Sequence, residues 1–183
     1  FQPYMTLEMD GYSQINRTDY GISHFYEFTI HDEKKHCIKA VPDASIDLLF
    51  NIGENKVSTY ISGTVFGVKK WELGTQDDCF GVRFQPGQGI LPKDITMEMI
   101  VNDDIEIDGD IFGKNLTEKI ALAKTMSERI DIFKKAYEDI VLGRSSLSDK
   151  EKINEYLVNR ISRTKGMITM RQLEDETNYS ACY

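Results

Sequence analysis

The sequence predicts an α+β protein, with a β-rich body first and helices after it. Three observations carry this reading. Roughly the first hundred residues are short runs separated by Gly, Pro, Asn and Asp, the punctuation of a β-sandwich or barrel. After about residue 112 the spacing of apolar residues changes from two to between three and four, the period of a helix. Near the end, Ser148 with Glu151 and Thr169 with Gln172 repeat the capping-box pattern that opens helices.

The strands are taken in order. His24 to Ile30 and Cys37 to Val41 are the first two candidates, and Pro42-Asp43 turns the chain into Ile46 to Asn51. Gly53-Glu54-Asn55 then turns it into Val57 to Ser62, so this pair reads as a hairpin. Gly63 and Gly67 loosen the segment before Lys69 to Leu73. Cys79 to Phe84 alternates Phe80, Val82 and Phe84 on one face with Cys79, Gly81 and Arg83 on the other, and Pro86-Gly87 closes it.

Among the helices, Met126, Ile130, Phe133, Tyr137 and Ile140 step by four and three and form one stripe that ends near Gly143. Such a stripe is either a core-facing surface or a dimer seam. Ser148 caps a helix carrying Ile153, Leu157 and Ile161, which Gly166 stops. Thr169 caps a short helix through Glu174. Asn178-Tyr179-Ser180 reads as a turn, with Ser180 as the next N-cap. The expected divisions are therefore 1–112 (β-rich), 113–143 (helical linker or dimerisation segment) and 148–183 (an incomplete helical module).

Composition narrows the function classes. The chain has 183 residues, 40% of them hydrophobic and 28% charged, as in an ordinary globular protein. No run approaches a membrane span and the start has no signal-peptide pattern, so a cytoplasmic location is expected. The net charge of -8 lies wholly in the first 144 residues, because six basic and six acidic residues balance from Ser145 onward. An acidic body is a poor partner for phosphates. Cys37, Cys79 and Cys182 form neither a disulfide framework nor a metal pair and read as reduced thiols, and His24, His31 and His36 lack metal-ligand spacing. No nucleophile elbow, phosphate loop or dinucleotide fingerprint is present, which argues against catalysis and against a metal or other cofactor.

Two segments carry a resemblance. The stretch from Gly166 to Tyr183, with Thr169, Leu173 and Asn178-Tyr179-Ser180, resembles the start of the first helix-turn-helix of the AraC family of bacterial transcription regulators. Val41-Pro42-Asp43 through Asp47-Leu48-Leu49-Phe50, Ser62-Gly63, and Phe80-Gly81-Val82-Arg83-Phe84-Gln85-Pro86-Gly87 are similar to the sensing domain of many such regulators. The resemblance implies a cupin-like β-barrel that binds a small effector, helices that dimerise and link, and a DNA-binding region of which only the beginning is present.

Site residues follow from both lines. An effector pocket needs an apolar wall with a few orienting polar groups, and Tyr26, Tyr60, Trp71 and Arg83 are the candidates. Each has a plainer reading as core, hairpin surface or structural ion pair. A buried Arg83 would need an acid, from the protein or from a ligand. Thr169, Arg171 and Ser180 are the candidate DNA contacts, although a module without its recognition helix should not bind DNA specifically. The dimer-seam candidates are Met126, Ile130, Phe133, Tyr137 and Ile140. A free-standing cupin-like binding protein or enzyme, and an oligomerisation module without a ligand, are the alternatives.

Overall fold

The structure is a computed structural model that describes residues 10–29, 37–54, 56–72, 78–144 and 148–180. It divides into two compact units, Phe1–Gly143 and Arg144–Tyr183.

The first unit is built on a six-stranded antiparallel sheet. Its strands are β1 (Asp10–Asn16), β2 (Ile22–Thr29), β4 (Asp47–Ile52), β5 (Val57–Ser62), β7 (Asp78–Phe84) and β8 (Asp104–Ile107), in the order β1-β2-β7-β4-β5-β8. β3 (Cys37–Ala40) and β6 (Lys69–Glu72) pair as a separate two-stranded ribbon. The expected hairpin of β4 and β5 is present, with Leu49 opposite Tyr60. β1 and β8 close the two edges, and neither was anticipated. Among the described residues the strands do not join into one closed barrel.

Alternation divides this sheet into two faces of different chemistry. One face carries Phe25, Leu48, Phe50, Ile61, Phe80, Val82 and Phe84, each at most 3% exposed. Helices cover it: α1 (Met97–Ile100), α2 (Leu116–Leu122) and above all α3 (Met126–Gly143). Phe133 of α3 sets its ring edge-on to Phe25 and Phe50, with centroids 6.0 and 6.3 Å away, and Tyr137 lies 5.4 Å from Phe84. Burying each such ring stabilises the fold by about 1.5–3 kcal/mol.

This packing corrects the dimer-seam expectation. Met126, Ile130, Phe133 and Tyr137 are buried inside their own unit, and Ile140 packs at the edge of the same core. The stripe is a core face, and a second chain would reach it only by lifting α3 from the sheet. It also makes the 113–143 segment part of the β-rich unit instead of a linker standing apart. Polar ties reinforce α3: Arg129 meets Glu27 at 3.3 Å, Lys134 meets Asp19 at 2.7 Å, and the Tyr20 hydroxyl donates to Glu138 at 2.5 Å. Tyr20 holds a left-handed φ of 55°, unusual for so bulky a residue, in the 3-10 turn before β2.

The second unit contains α4 (Asp149–Arg163) and α5 (Met170–Thr177). Both predicted capping boxes are present: Ser148 with Glu151, and Thr169 with Gln172. α5 runs past Glu174 to Thr177 and ends on Asn178 with φ 59°, the left-handed residue the turn requires. Arg160 grips Glu176 through two nitrogens, and the Tyr156 hydroxyl donates to the same carboxylate at 2.7 Å. Leu173 is the buried apolar residue of these two helices.

Candidate functional site

The other face of the sheet is the unusual one, because its centre is polar yet buried, around His24, Tyr26, Asp47, Ser62 and Arg83, while Gln14, Asn16 and Glu106 toward its edges are exposed. Strand register arranges it in three parallel rows. Asn16, His24, Arg83, Asp47, Ser62 and Asp104 stand side by side across β1, β2, β7, β4, β5 and β8. In the next row are Gln14, Tyr26, Gly81, Leu49, Tyr60 and Glu106. Phe28, Cys79, Asn51 and Ser58 form the third. Each row is two residues from the next along its strands, so all three point the same way.

Arg83 is the centre of the first row and is 4% exposed. Its Nη1 donates to Asp47 Oδ2 at 2.7 Å, and its Nη2 donates to Asp43. Asp43 sits in the loop after Pro42, where its carboxylate also accepts from the Ser45 amide at 3.2 Å. The turn therefore brings the second acid to a guanidinium that a neighbouring strand supplies. The Tyr26 hydroxyl donates to the other Asp47 oxygen at 3.3 Å. Among the described residues, Arg83 Nε has no hydrogen-bond partner, a donor left over in a buried polar site.

Tyr26 takes its position from Gly81. A Cβ on Gly81 would lie 2.0 Å from Tyr26 Cζ, so the ring occupies the space a side chain would fill. Tyr26 then stacks between Tyr12 and Phe28, with each ring centroid 6.2 Å away. His24 lies 5.9 Å from the Tyr26 ring, with Ser23 Oγ 3.1 Å from its Nδ1.

Burial dominates the electrostatics of the cluster. It holds His24 down at about 4, helped by the positive charge of Arg83, so the imidazole is neutral near pH 7. Burial also pushes the Asp47 carboxyl up, against the pull of Arg83. The Tyr26 phenol is raised well above its ordinary value by burial and by Asp47. Burial works to lower Arg83, but Asp47 and Asp43 raise it overall, and it stays charged. One cation faces two acids, and the trio carries net negative charge when both acids are ionised.

Of the candidates read from the sequence, Tyr26 and Arg83 meet in this cluster. Tyr60 stands in the Tyr26 row, two strands beyond Gly81, and its hydroxyl reaches Glu106 at 3.5 Å. Trp71 pairs with Ile38 in the separate ribbon, and its side chain lies outside the described residues. His31 and His36 also lie outside them. His24, Asp43 and Asp47 complete the cluster without being among those candidates. The requirement that a buried arginine find an acid was the signal for the two aspartates, which lie in the Pro42-Asp43 to Asp47 motif.

In the second unit, Thr169 uses its hydroxyl to cap α5 through Gln172, and Arg171 and Ser180 are exposed. Ile153, Leu157, Ile161, Met170, Leu173 and Tyr179 line an open cleft of about 410 Å³ between α4 and α5. Among the described residues no group of three or more His, Cys, Asp or Glu could hold a metal ion. No described helix is long and apolar enough to cross a membrane.

Residues 19–106 match a domain of unknown function, DUF6597. The match spans just under half the chain and contains His24, Tyr26, Asp43, Asp47, Tyr60 and Arg83. No curated protein and no solved structure matches the chain.

Proposed function

We propose that this chain is the ligand-sensing portion of an AraC-type bacterial transcription regulator. Its β-rich body acts as a cupin-like barrel that receives a small polar effector on the face carrying Arg83. Arg144–Tyr183 is the opening of the first helix-turn-helix. The protein works in the cytoplasm, without a cofactor and without catalysis of its own.

The observation that carries this reading is the buried polar face of the sheet. A sheet whose only task is packing has no use for an arginine, an aspartate, a histidine and a tyrosine buried on one side, since each costs desolvation that apolar residues would avoid. Small-molecule sites have this composition: aromatic surface with a few fixed polar groups. Arg83 Nε is an unspent donor there, and Tyr60 and Leu49 extend the wall. The capped helix pair with its left-handed Asn178 supports the second half of the reading. The apolar cleft beside it is the kind of surface that a following recognition helix would cover.

Thermal unfolding in the presence of a panel of sugars, amines, nucleosides and small acids tests the sensing role. A true effector at a hundred times its dissociation constant stabilises the fold by about 2.7 kcal/mol. The same compound should lose its effect on Tyr60→Ala. A hit that stabilises Tyr60→Ala and Leu49→Trp as strongly as the parent chain would place the ligand elsewhere and defeat the proposal.

A further inference from the structure

The hydrogen bonds and charges at the centre of the polar face restrict what kind of molecule it can receive. Among the described residues Arg83 is the cation there, and both its terminal nitrogens are engaged, Nη1 by Asp47 and Nη2 by Asp43. Both Asp47 oxygens accept hydrogen bonds, one from Arg83 and one from the Tyr26 hydroxyl, as an ionised carboxylate does. The Tyr26 O–H is thereby engaged as well. His24, beside Arg83 in the register of β2 and β7, is neutral near pH 7 because burial holds it at about 4, so it adds no second cation. Further along the sheet, Lys69 meets Asp104 at 3.8 Å and Lys56 meets Glu106 at 2.6 Å, so both lysines answer acids of their own. What remains at the centre is Arg83 Nε, an N–H with no partner among the described residues on a side chain only 5% exposed.

We infer that the effector is an uncharged molecule whose hydroxyl, amide or carbonyl oxygen accepts the hydrogen bond of Arg83 Nε, and that Asp43 and Asp47 exclude organic anions from the site. The inference rests on the sensing reading and names the ligand class for it.

The other ligand classes fail on the same geometry. An organic acid offers acceptor oxygens, but its charge would enter beside Asp43 and Asp47 while the arginine is already shared between them, and like charges repel strongly where water is excluded. An amine brings the charge that the two acids favour, yet an ammonium group has donors only. It has no lone pair for the Nε–H and would stand against the guanidinium. A hydrocarbon leaves the buried donor unsatisfied. An uncharged oxygen satisfies that donor and adds no charge to a cluster in which the acids already outnumber the arginine.

A fragment library built as matched triples tests the inference. Each triple holds an uncharged amide or alcohol, the carboxylate and the amine on one carbon frame: butanamide, butyrate and butylamine are one, and sorbitol, gluconate and N-methylglucamine another. The full chain is titrated with each compound at neutral pH up to about 10 mM, above a millimolar dissociation constant. Amide signals of residues 24, 26 and 83 report the place of binding. Compounds that move those signals should be uncharged members, with their carboxylate and amine counterparts roughly tenfold or more weaker. Asp43→Asn keeps an oxygen for Arg83 Nη2 and removes one negative charge, so the carboxylate counterpart should regain roughly tenfold relative to the uncharged member. A face that selects carboxylates or amines from these triples would overturn the ligand class and leave the sensing reading standing. A library in which nothing moves residues 24, 26 and 83 would overturn both. Unchanged discrimination in Asp43→Asn, with a circular dichroism spectrum matching the parent, would overturn the exclusion of anions by the acids.

Discussion

The ring of Tyr26 lies over the backbone of Gly81, in the space that any other residue would need for its Cβ, which would come within 2.0 Å of Tyr26 Cζ. This contact delivers the Tyr26 hydroxyl to Asp47, and Asp47 to Arg83. A glycine in mid-strand weakens a sheet in general, and its presence here marks a close approach.

Gly81→Ala should therefore displace the Tyr26 ring and destabilise the first unit by about 1–3 kcal/mol, the usual range for an overfilled core. Urea titration followed by near-ultraviolet circular dichroism reads both effects. In a Tyr26→Ala background the same substitution should cost less, since the ring is gone. Equal costs in the two backgrounds would show that Tyr26 does not set the requirement for glycine.

Arg83 is the cation beside the buried Asp47 and the half-buried Asp43, and removing it leaves both without that partner. Arg83→Met should cost about 3–5 kcal/mol, the range for breaking a buried pair. Asp47 in that variant should be raised further, and a group raised in the folded state adds stability that is lost as pH rises through its folded value. The variant should thus lose stability more steeply than the parent between mildly acidic and neutral pH. A variant with the parent's pH profile would show that Asp47 and Asp43 are not held by Arg83.

His24 works in the opposite direction. Burial lowers it from an ordinary 6.5 to about 4 in the fold, so the unfolded chain binds a proton that the folded chain does not between those values. Its contribution is complete above about pH 6.5 and is lost as pH falls toward 4. Denaturation midpoints across this window should drop with the slope of about one proton taken up, and His24→Gln should flatten that slope. A histidine resonance titrating at its ordinary value would contradict the burial.

Phe133→Ala tests the assignment of the α3 stripe to the core. With no exposure and contacts to the rings of Phe25, Phe50 and Tyr137, the loss should be about 3–5 kcal/mol and should not depend on protein concentration. A cost that appears only at concentrations where the chain associates would restore the seam reading.

Much of this fold was legible from local pattern. The alternation of Phe80, Val82 and Phe84 with Cys79, Gly81 and Arg83 gave the two faces of β7, and the capping pairs at Ser148 and Thr169 gave two helix starts. The strands at the edges were harder. β1 has a bulge between Asp10 and Ser13 that breaks its alternation, and β8 has only four residues. The destination of the α3 stripe was not decidable, because an amphipathic face looks the same whether it meets its own sheet or another chain. Arg83 and Tyr26 were found from residue type and motif. Their neighbours Asp47 and His24 depend on register between strands far apart in sequence, and Asp43 on the loop that leads into β4, which spacing does not encode.

The most direct test of the sensing role is to record amide chemical shifts while titrating the first compound that raises the unfolding temperature of the chain. The prediction is that the largest changes fall on residues 24, 26, 49, 60, 81 and 83, the rows around Arg83. Changes confined to α3 or to residues 148–180, with Arg83 and Tyr60 unmoved, would contradict it.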